Sequence, residues 1–300
     1  SEPAWATEDW PFELIVARGP ESNVGAARNV GFDLARGELV ILLNDDVWPE
    51  RDLVAAHVNV HRRLDRPAMV LGEAVWRRHE NETVFDRMLQ NTSMIFFYDK
   101  MVPHTWYSYR HAWTLNLSLP RRDCDAVRFD EAIRPVCFDD LEWAFRLERT
   151  QGLRVRFAPE ARVVHDHRYT LESYLAREDH LGRMAALLWR CNPECFTAIH
   201  GSNLDAEYLG YCLRFVASHE RLEDDMRSGL DRLVSRPIED LSPSIAVRSE
   251  LLQCLYHAHL PLKRLVFHRS LLEAAGRPVP SDQLSSPMDA DAAQLPIGTI

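Results

Sequence analysis

Leu39-Val40-Ile41-Leu42-Leu43 is apolar at every position and ends abruptly in Asn44-Asp45-Asp46. An apolar run with no polar alternation reads as a strand buried on both faces, and such strands belong to parallel sheets covered by helices. The polar run then falls at the carboxyl end of the strand, the side of an open α/β sheet where ligands bind. Two adjacent carboxylates repel each other and require a cation or a basic partner. Hard oxygen donors suit Mg²⁺ or Mn²⁺, which bind through one or two carboxylates plus substrate phosphates. The same residues also suit a polar turn in which an Asp caps the next helix, started by Pro49.

The neighbouring segments extend this pattern. Phe12-Glu-Leu-Ile-Val-Ala17 reads as a strand broken by Arg18-Gly19-Pro20, and Asn23 can cap a helix that runs to about Arg36. A second helix follows Pro49, and Met69-Val-Leu71 is a third strand. Strands alternating with helices at this spacing predict an α/β fold. Further strands are expected at Thr114–Ser118, Arg154–Phe157 and Arg162–His165, the last two flanking an Ala158-Pro159 break. After Thr170 only helical periodicity remains, over 171–189, 205–219, 221–233 and 245–275. The expected organisation is an α/β domain over 1–169, a helical region over 170–276 and a Pro-, Ser- and Asp-rich flexible tail over 277–300.

Composition narrows the function classes. The chain has 300 residues, is 46% hydrophobic and carries a formal charge of −10. An acidic surface repels nucleic acid, so no nucleic-acid partner is expected. Six cysteines, at 124, 137, 191, 195, 212 and 254, form no Cys-x-x-Cys pair, so reduced thiols are expected and not a zinc cage. No apolar stretch approaches the roughly 18 residues of a membrane span. Residues 1–10 lack the order of a signal peptide. The expected location is the cytoplasm, with peripheral association at the inner face of a membrane left open.

Three further constellations carry chemistry. Asn23-Val-Gly-Ala-Ala-Arg28-Asn29-Val-Gly31 places free amides and Arg28 at a helix start, an anion-friendly corner that is also a plain packing contact. Asp139-Asp140-Leu-Glu142 opens a helix, where either acid can be the cap or a general base held near an acceptor hydroxyl. His165-Asp166-His167 ends a strand, where a neutral histidine can ligate a metal or simply occupy the surface.

Taken in order, these motifs resemble the family-2 glycosyltransferases. The series is Asn23, Gly25, Ala27-Arg28-Asn29, Gly31, Ala35-Arg36-Gly37-Glu38, the apolar strand, Asn44-Asp45-Asp46 and Pro49. It continues with Asn116-Leu-Ser118 beside Arg121 and Arg122, Phe129-Asp130-Glu131, Asp139-Asp140, His165 and the stretch Tyr174–Arg183. The resemblance covers about residues 12 to 190. It implies a GT-A-type fold, a mostly parallel sheet flanked by helices, with a helical C-terminal extension. It further implies metal-dependent, inverting transfer of a sugar from a nucleotide-sugar donor to a glycan or lipid-linked acceptor, in polysaccharide or glycoconjugate synthesis.

The residue roles follow from the resemblance. Asp46 and His165 hold the metal, Mg²⁺ or Mn²⁺, and Asp140 is the catalytic base. Arg28, Asn29, Asn44, Asp45, Asn116 and Asp139 contact the nucleotide-sugar, while Phe129-Asp130-Glu131 is a structural turn. Two departures stand out. Asn44 replaces the first acid of the Asp-x-Asp run and brings no negative charge. The strand-helix-strand that precedes Phe12 in the family has no counterpart, so the chain is expected to be a fragment with an incomplete nucleotide seat. Two rival readings are a nucleotidyltransferase of related architecture and a non-catalytic module descended from the enzyme.

Overall fold

The computed structural model describes residues 10–19, 22–134 and 136–276. The tail expected over 277–300 lies outside them.

Asn23 starts α1 (Val24–Leu34) as expected, its side chain accepting the Ala26 N–H at 3.0 Å. The apolar run is β1 (Leu39–Leu43), followed by the short β2 (Val47–Pro49) and α2 (Leu53–Arg63). Then come β3 (Met69–Trp76), α3 (Val84–Asn91), β4 (Trp106–Tyr107), β5 (Asn116–Pro120) and α4 (Arg121–Ala126). The α/β part closes with α5 (Asp139–Gln151) and β6 (Val155–His165). Five helices follow: α6 (Leu171–Cys191), α7 (Pro193–His200), α8 (Ala206–His219), α9 (Glu223–Val234) and α10 (Ile245–Ala274). The α/β architecture and the helical C-terminal region are as the sequence predicts.

The sheet has the order β1-β5-β3-β6-β2, with β4 also paired to β6. It is mixed where a mostly parallel sheet was expected. Among the described residues only β3 and β6 pair in parallel; β5 runs against both β1 and β3, and β2 runs against β6. Burial periodicity carries no strand direction, and Leu117 and Leu119 of β5 are as buried as any parallel strand would make them. Because β5 is interleaved, β1, β3 and β6 all point the same way and their carboxyl ends share one edge. That edge is where Asn44-Asp45-Asp46 and His165 emerge.

Two local differences stand out, the first with a plain steric cause. The expected strands at 154–157 and 162–165 are one strand, β6, whose register against β3 shifts between Gly72 and Glu73. Pro159 lacks an N–H and sits in the unpaired stretch of this bulge. Gly72 faces it so closely that a Cβ there would lie 2.1 Å from the Ala161 carbonyl oxygen and 2.2 Å from Asn116 Nδ2. Phe12–Ala17, expected as a strand, pairs with none among the described residues, and Phe12, Leu14, Ile15 and Val16 are exposed.

One apolar core runs from the sheet (Leu71, Leu117, Val155) into the C-terminal helices (Met184, Phe196, Leu265). The change of element type near residue 170 is therefore not a break in the core. A second cluster packs Val84 and Phe85 of α3 against Tyr174, Leu230 and Tyr256. Phe129 stacks on Trp143 at 4.4 Å, and Phe32 of α1 packs on both rings. This aromatic contact fixes α1 beside the start of α5. All six cysteines are free thiols. Among the described residues no helix is long and apolar enough to cross a membrane.

Candidate active site

A cavity of about 990 Å³ opens at the shared strand edge and is closed by the C-terminal helices. It brings together Arg28, Asn44, Asp46, Asp139, Asp140 and His165, six of the nine side chains singled out from sequence.

The antiparallel pairing of β2 with β6 seats Asp46 against His165. Val47 is opposite His165 in the ladder, and the Asp166 N–H donates to the Asp46 carbonyl at 2.7 Å. The Asp46 Oδ2 atom lies 3.1 Å from His165 Nε2 and 3.7 Å from His167 Nδ1. Burial lowers the pKa of His165, with the Asp46 carboxylate opposing the shift. The ring is thus held in its neutral, ligating form, packed 4.6 Å from Trp76. Asp46 Oδ1 and His165 Nδ1 are buried without a hydrogen-bond partner among the described residues. Orphaned donor atoms of this kind fit a cation. Among the described residues no group of three or more His, Cys, Asp or Glu side chains is arranged to hold a metal. Asp46 and His165 therefore fit one as part of a coordination sphere completed by other oxygens, as Mg²⁺ commonly takes from substrate phosphates.

The acid pair is set by an unusual backbone. Cys137 and Phe138 have φ of 88° and 63°, the left-handed region that side-chain-bearing residues rarely enter. Such strain is held in place by its surroundings, here the buried Phe138 ring. The turn starts α5 at Asp139, with the helix dipole favouring negative charge on both acids. Asp139 is buried; it accepts the Cys137 N–H at 3.0 Å and pairs with Arg28 of α1. Asp140 is half-buried and makes no ion pair of its own among the described residues, though its Oδ1 accepts the Leu141 N–H at 2.8 Å. Burial pushes its pKa up to about 6; the neighbouring Asp139 charge adds to this and Arg28 opposes it.

The remaining three expected site residues stand elsewhere. Asn29 is buried and pins the turn at Phe129: its Nδ2 donates to the Phe129 carbonyl and to Glu131, and its Oδ1 accepts the Phe129 N–H. Asn116 is fully buried inside the sheet; its Nδ2 donates to the Ala161 carbonyl at 2.8 Å and its Oδ1 meets His57 at 2.9 Å. Their polar atoms are engaged within the protein, and neither Asn29 nor Asn116 lines the cavity. Asp45 is exposed and does not line the cavity.

Sequence reasoning missed the side chains from the helical region, among them Arg177, Arg214, Lys263 and Arg264. One signal was available. Lys263-Arg264 interrupts the otherwise apolar stretch Leu260–Phe267, where two adjacent cations need a reason to be.

Residues 4–116 match the family model described as Glycosyl transferase family 2. The matched segment holds Arg28, Asn44 and Asp46; Asp139, Asp140 and His165 lie beyond it. Comparison with curated proteins finds no match.

Proposed function

We propose that the family-2 glycosyltransferase domain of this chain moves a sugar from a nucleotide-sugar donor to an acceptor hydroxyl with inversion, in glycan or glycoconjugate synthesis. The observation that carries the reading is the placement of Asp140, which makes no ion pair among the described residues, on the same cavity as the Asp46–His165 pair.

Asp140 is the general base. In its carboxylate form it takes the acceptor's hydroxyl proton as the acceptor oxygen bonds to the anomeric carbon. The bond from that carbon to the diphosphate oxygen breaks, and its electron pair leaves with the nucleoside diphosphate. A base pKa near 6 keeps most of Asp140 ionised at neutral pH while leaving it basic enough to hold the proton. Asp139 stays anchored to Arg28 and orients the start of α5. Asp46 and His165 are the residues that would hold Mg²⁺ or Mn²⁺. That ion, when bound, supplies Lewis-acid neutralisation of the leaving diphosphate. Asn44 and Arg28 line the donor end. Trp76 and Phe96 pack around His165 and keep water from that side of the ring.

The test is release of nucleoside diphosphate from a panel of nucleotide-sugars, with Asp140→Asn and Asp46→Ala beside the parent. Asp140→Asn is expected to lower turnover by about 10²–10⁴-fold, the range of general-base catalysis, and to leave Mn²⁺-dependent nucleotide binding intact. Asp46→Ala is expected to lose that binding. Parent-like turnover in Asp140→Asn refutes the base assignment.

A further inference from the structure

The cavity wall built by α6, α8 and α10 is basic in an acidic protein. It presents Arg177, Arg214, Lys263 and Arg264 against only Glu178 and Glu207, while the whole chain carries −10. Buried cations need partners, yet here one carboxylate serves two of them. Glu178, 1% exposed, meets Arg177 at 3.0 Å and Lys263 at 3.8 Å. Arg214 and Arg264 make no ion pair among the described residues. Burial pulls the pKa of Lys263 down, with Glu178 opposing, so this ammonium has been taken out of water with incomplete compensation. His268 lines the same wall, 6% exposed and with Nδ1 unpartnered among the described residues. Burial, then the charge of Arg264, holds its pKa down to about 4, so the ring is neutral and has a hydrogen bond to offer.

We propose that this wall binds a phosphate group carried by the acceptor. The inference rests on the sugar-transfer reading and names the class of acceptor. The wall has an excess of two cations, which matches the charge of about −1.5 to −2 on a phosphate monoester better than the single charge of a carboxylate. Guanidinium groups present forked N–H pairs that suit phosphate oxygens. The donor's diphosphate has its own seat at Asp46, His165 and Arg28. Tyr208, Tyr211 and Phe267 line the same region and give the body of the acceptor an apolar face.

Inorganic pyrophosphate, without divalent metal, probes the wall by isothermal titration on the full chain. A panel of nucleoside diphosphates with Mn²⁺ probes the donor seat. Arg214→Gln with Arg264→Gln is expected to weaken pyrophosphate about tenfold or more and to leave nucleoside diphosphate affinity within about twofold. Asp46→Ala is expected to do the reverse. The proposal is overturned if the parent does not bind pyrophosphate, or if the double variant binds it as the parent does. A parallel loss of both ligands in the double variant also overturns it, because the wall would then serve the donor's diphosphate. Failure of any nucleoside diphosphate to bind the parent with Mn²⁺ overturns the sugar-transfer reading itself, and the acceptor role with it. That outcome is distinct from every result confined to pyrophosphate. Thermal unfolding of each variant confirms that it is folded.

Discussion

Asp140→Asn is expected to make the protein more stable at neutral pH while removing its activity. The carboxyl pKa stands at about 6 in the fold against 3.8 for an ordinary aspartate. That difference corresponds to roughly 3 kcal/mol, all of it opposing ionisation in the folded state. Asp140 is only half-buried, and solvent screening reduces the figure to about 1–2 kcal/mol. The sign follows from proton linkage. A carboxyl with a raised folded pKa favours the fold fully below pH 3.8, and that contribution is lost as pH rises through about 6. Asparagine carries no charge to bury, and its Oδ1 can still accept the Leu141 N–H. The gain should therefore be full above pH 7, halve near pH 5 and vanish below pH 4. Urea unfolding of parent and variant at pH 4, 5, 7 and 8, with equal m-values, measures it. Asp139→Asn is the contrast: it removes the partner of Arg28 and should destabilise. A variant as stable as the parent at pH 8, or a gain that does not change with pH, refutes the claim that the fold holds an unpaired carboxylate at this position.

Arg28→Ala should cost about 2 kcal/mol, less than the 3–5 for breaking a fully buried pair, because the Cys137 N–H and the helix dipole still support Asp139. It should also move the acid limb of the pH–rate profile above 6, since Arg28 opposes the rise of the Asp140 pKa; chemical denaturation and a pH–rate series check the two effects. Gly72→Ala should destabilise by about 2–3 kcal/mol, because the Ala161 carbonyl and Asn116 amide that its Cβ would meet belong to the bulge and its clamp; denaturation midpoints measure it. Acid should weaken the fold between pH 6.5 and about 4. Burial holds His61, His259 and His268 down to about 4. Stability from a base with a depressed folded pKa is present above its unfolded value and lost as pH falls. A midpoint that stays flat over this interval would contradict their burial as neutral rings.

The sequence was most legible where chemistry and periodicity coincide. A wholly apolar strand followed by acids marked the strand edge at which the cavity opens, the Asn23 cap marked the start of α1, and the change to helical periodicity after Thr170 marked the start of α6. What one-dimensional pattern omits is direction and partner. Nothing in Asn116-Leu-Ser118 tells an antiparallel strand from a parallel one, so the interleaving of β5 was not foreseeable. Asn29 and Asn116 show the same limit for side chains. An amide can serve a ligand or the protein's own backbone equally well, and only the turn at Phe129 and the bulge at Ala161 decide which. The basic wall was hidden for a third reason. Arg177, Arg214, Lys263 and Arg264 come from three helices and converge only when α6, α8 and α10 pack.

The acid pair at α5 shows how one stretch of chain yields two unlike carboxylates. Asp139 and Asp140 are neighbours in sequence and share a helix N-terminus, so dipole and propensity treat them alike. The difference comes from α1. The Phe32–Phe129–Trp143 contact holds α1 against α5 at a depth that delivers Arg28 to Asp139 and not to Asp140. Asp139, paired, then contributes charge that disfavours ionisation of Asp140 while anchoring the strained turn through Cys137. Environments that push two carboxyls apart can give one site a structural acid and a base, the division proposed for Asp139 and Asp140. The aromatic contact thereby contributes to the pKa of Asp140. Phe32→Leu, which leaves every polar group in place, should let α1 shift, weaken the Arg28–Asp139 pair and raise the pH at which turnover is half-maximal. If Phe32→Leu lowers stability but leaves that pH where Asp140 sets it in the parent, the packing supports the fold alone and the division of labour lies within the α5 turn.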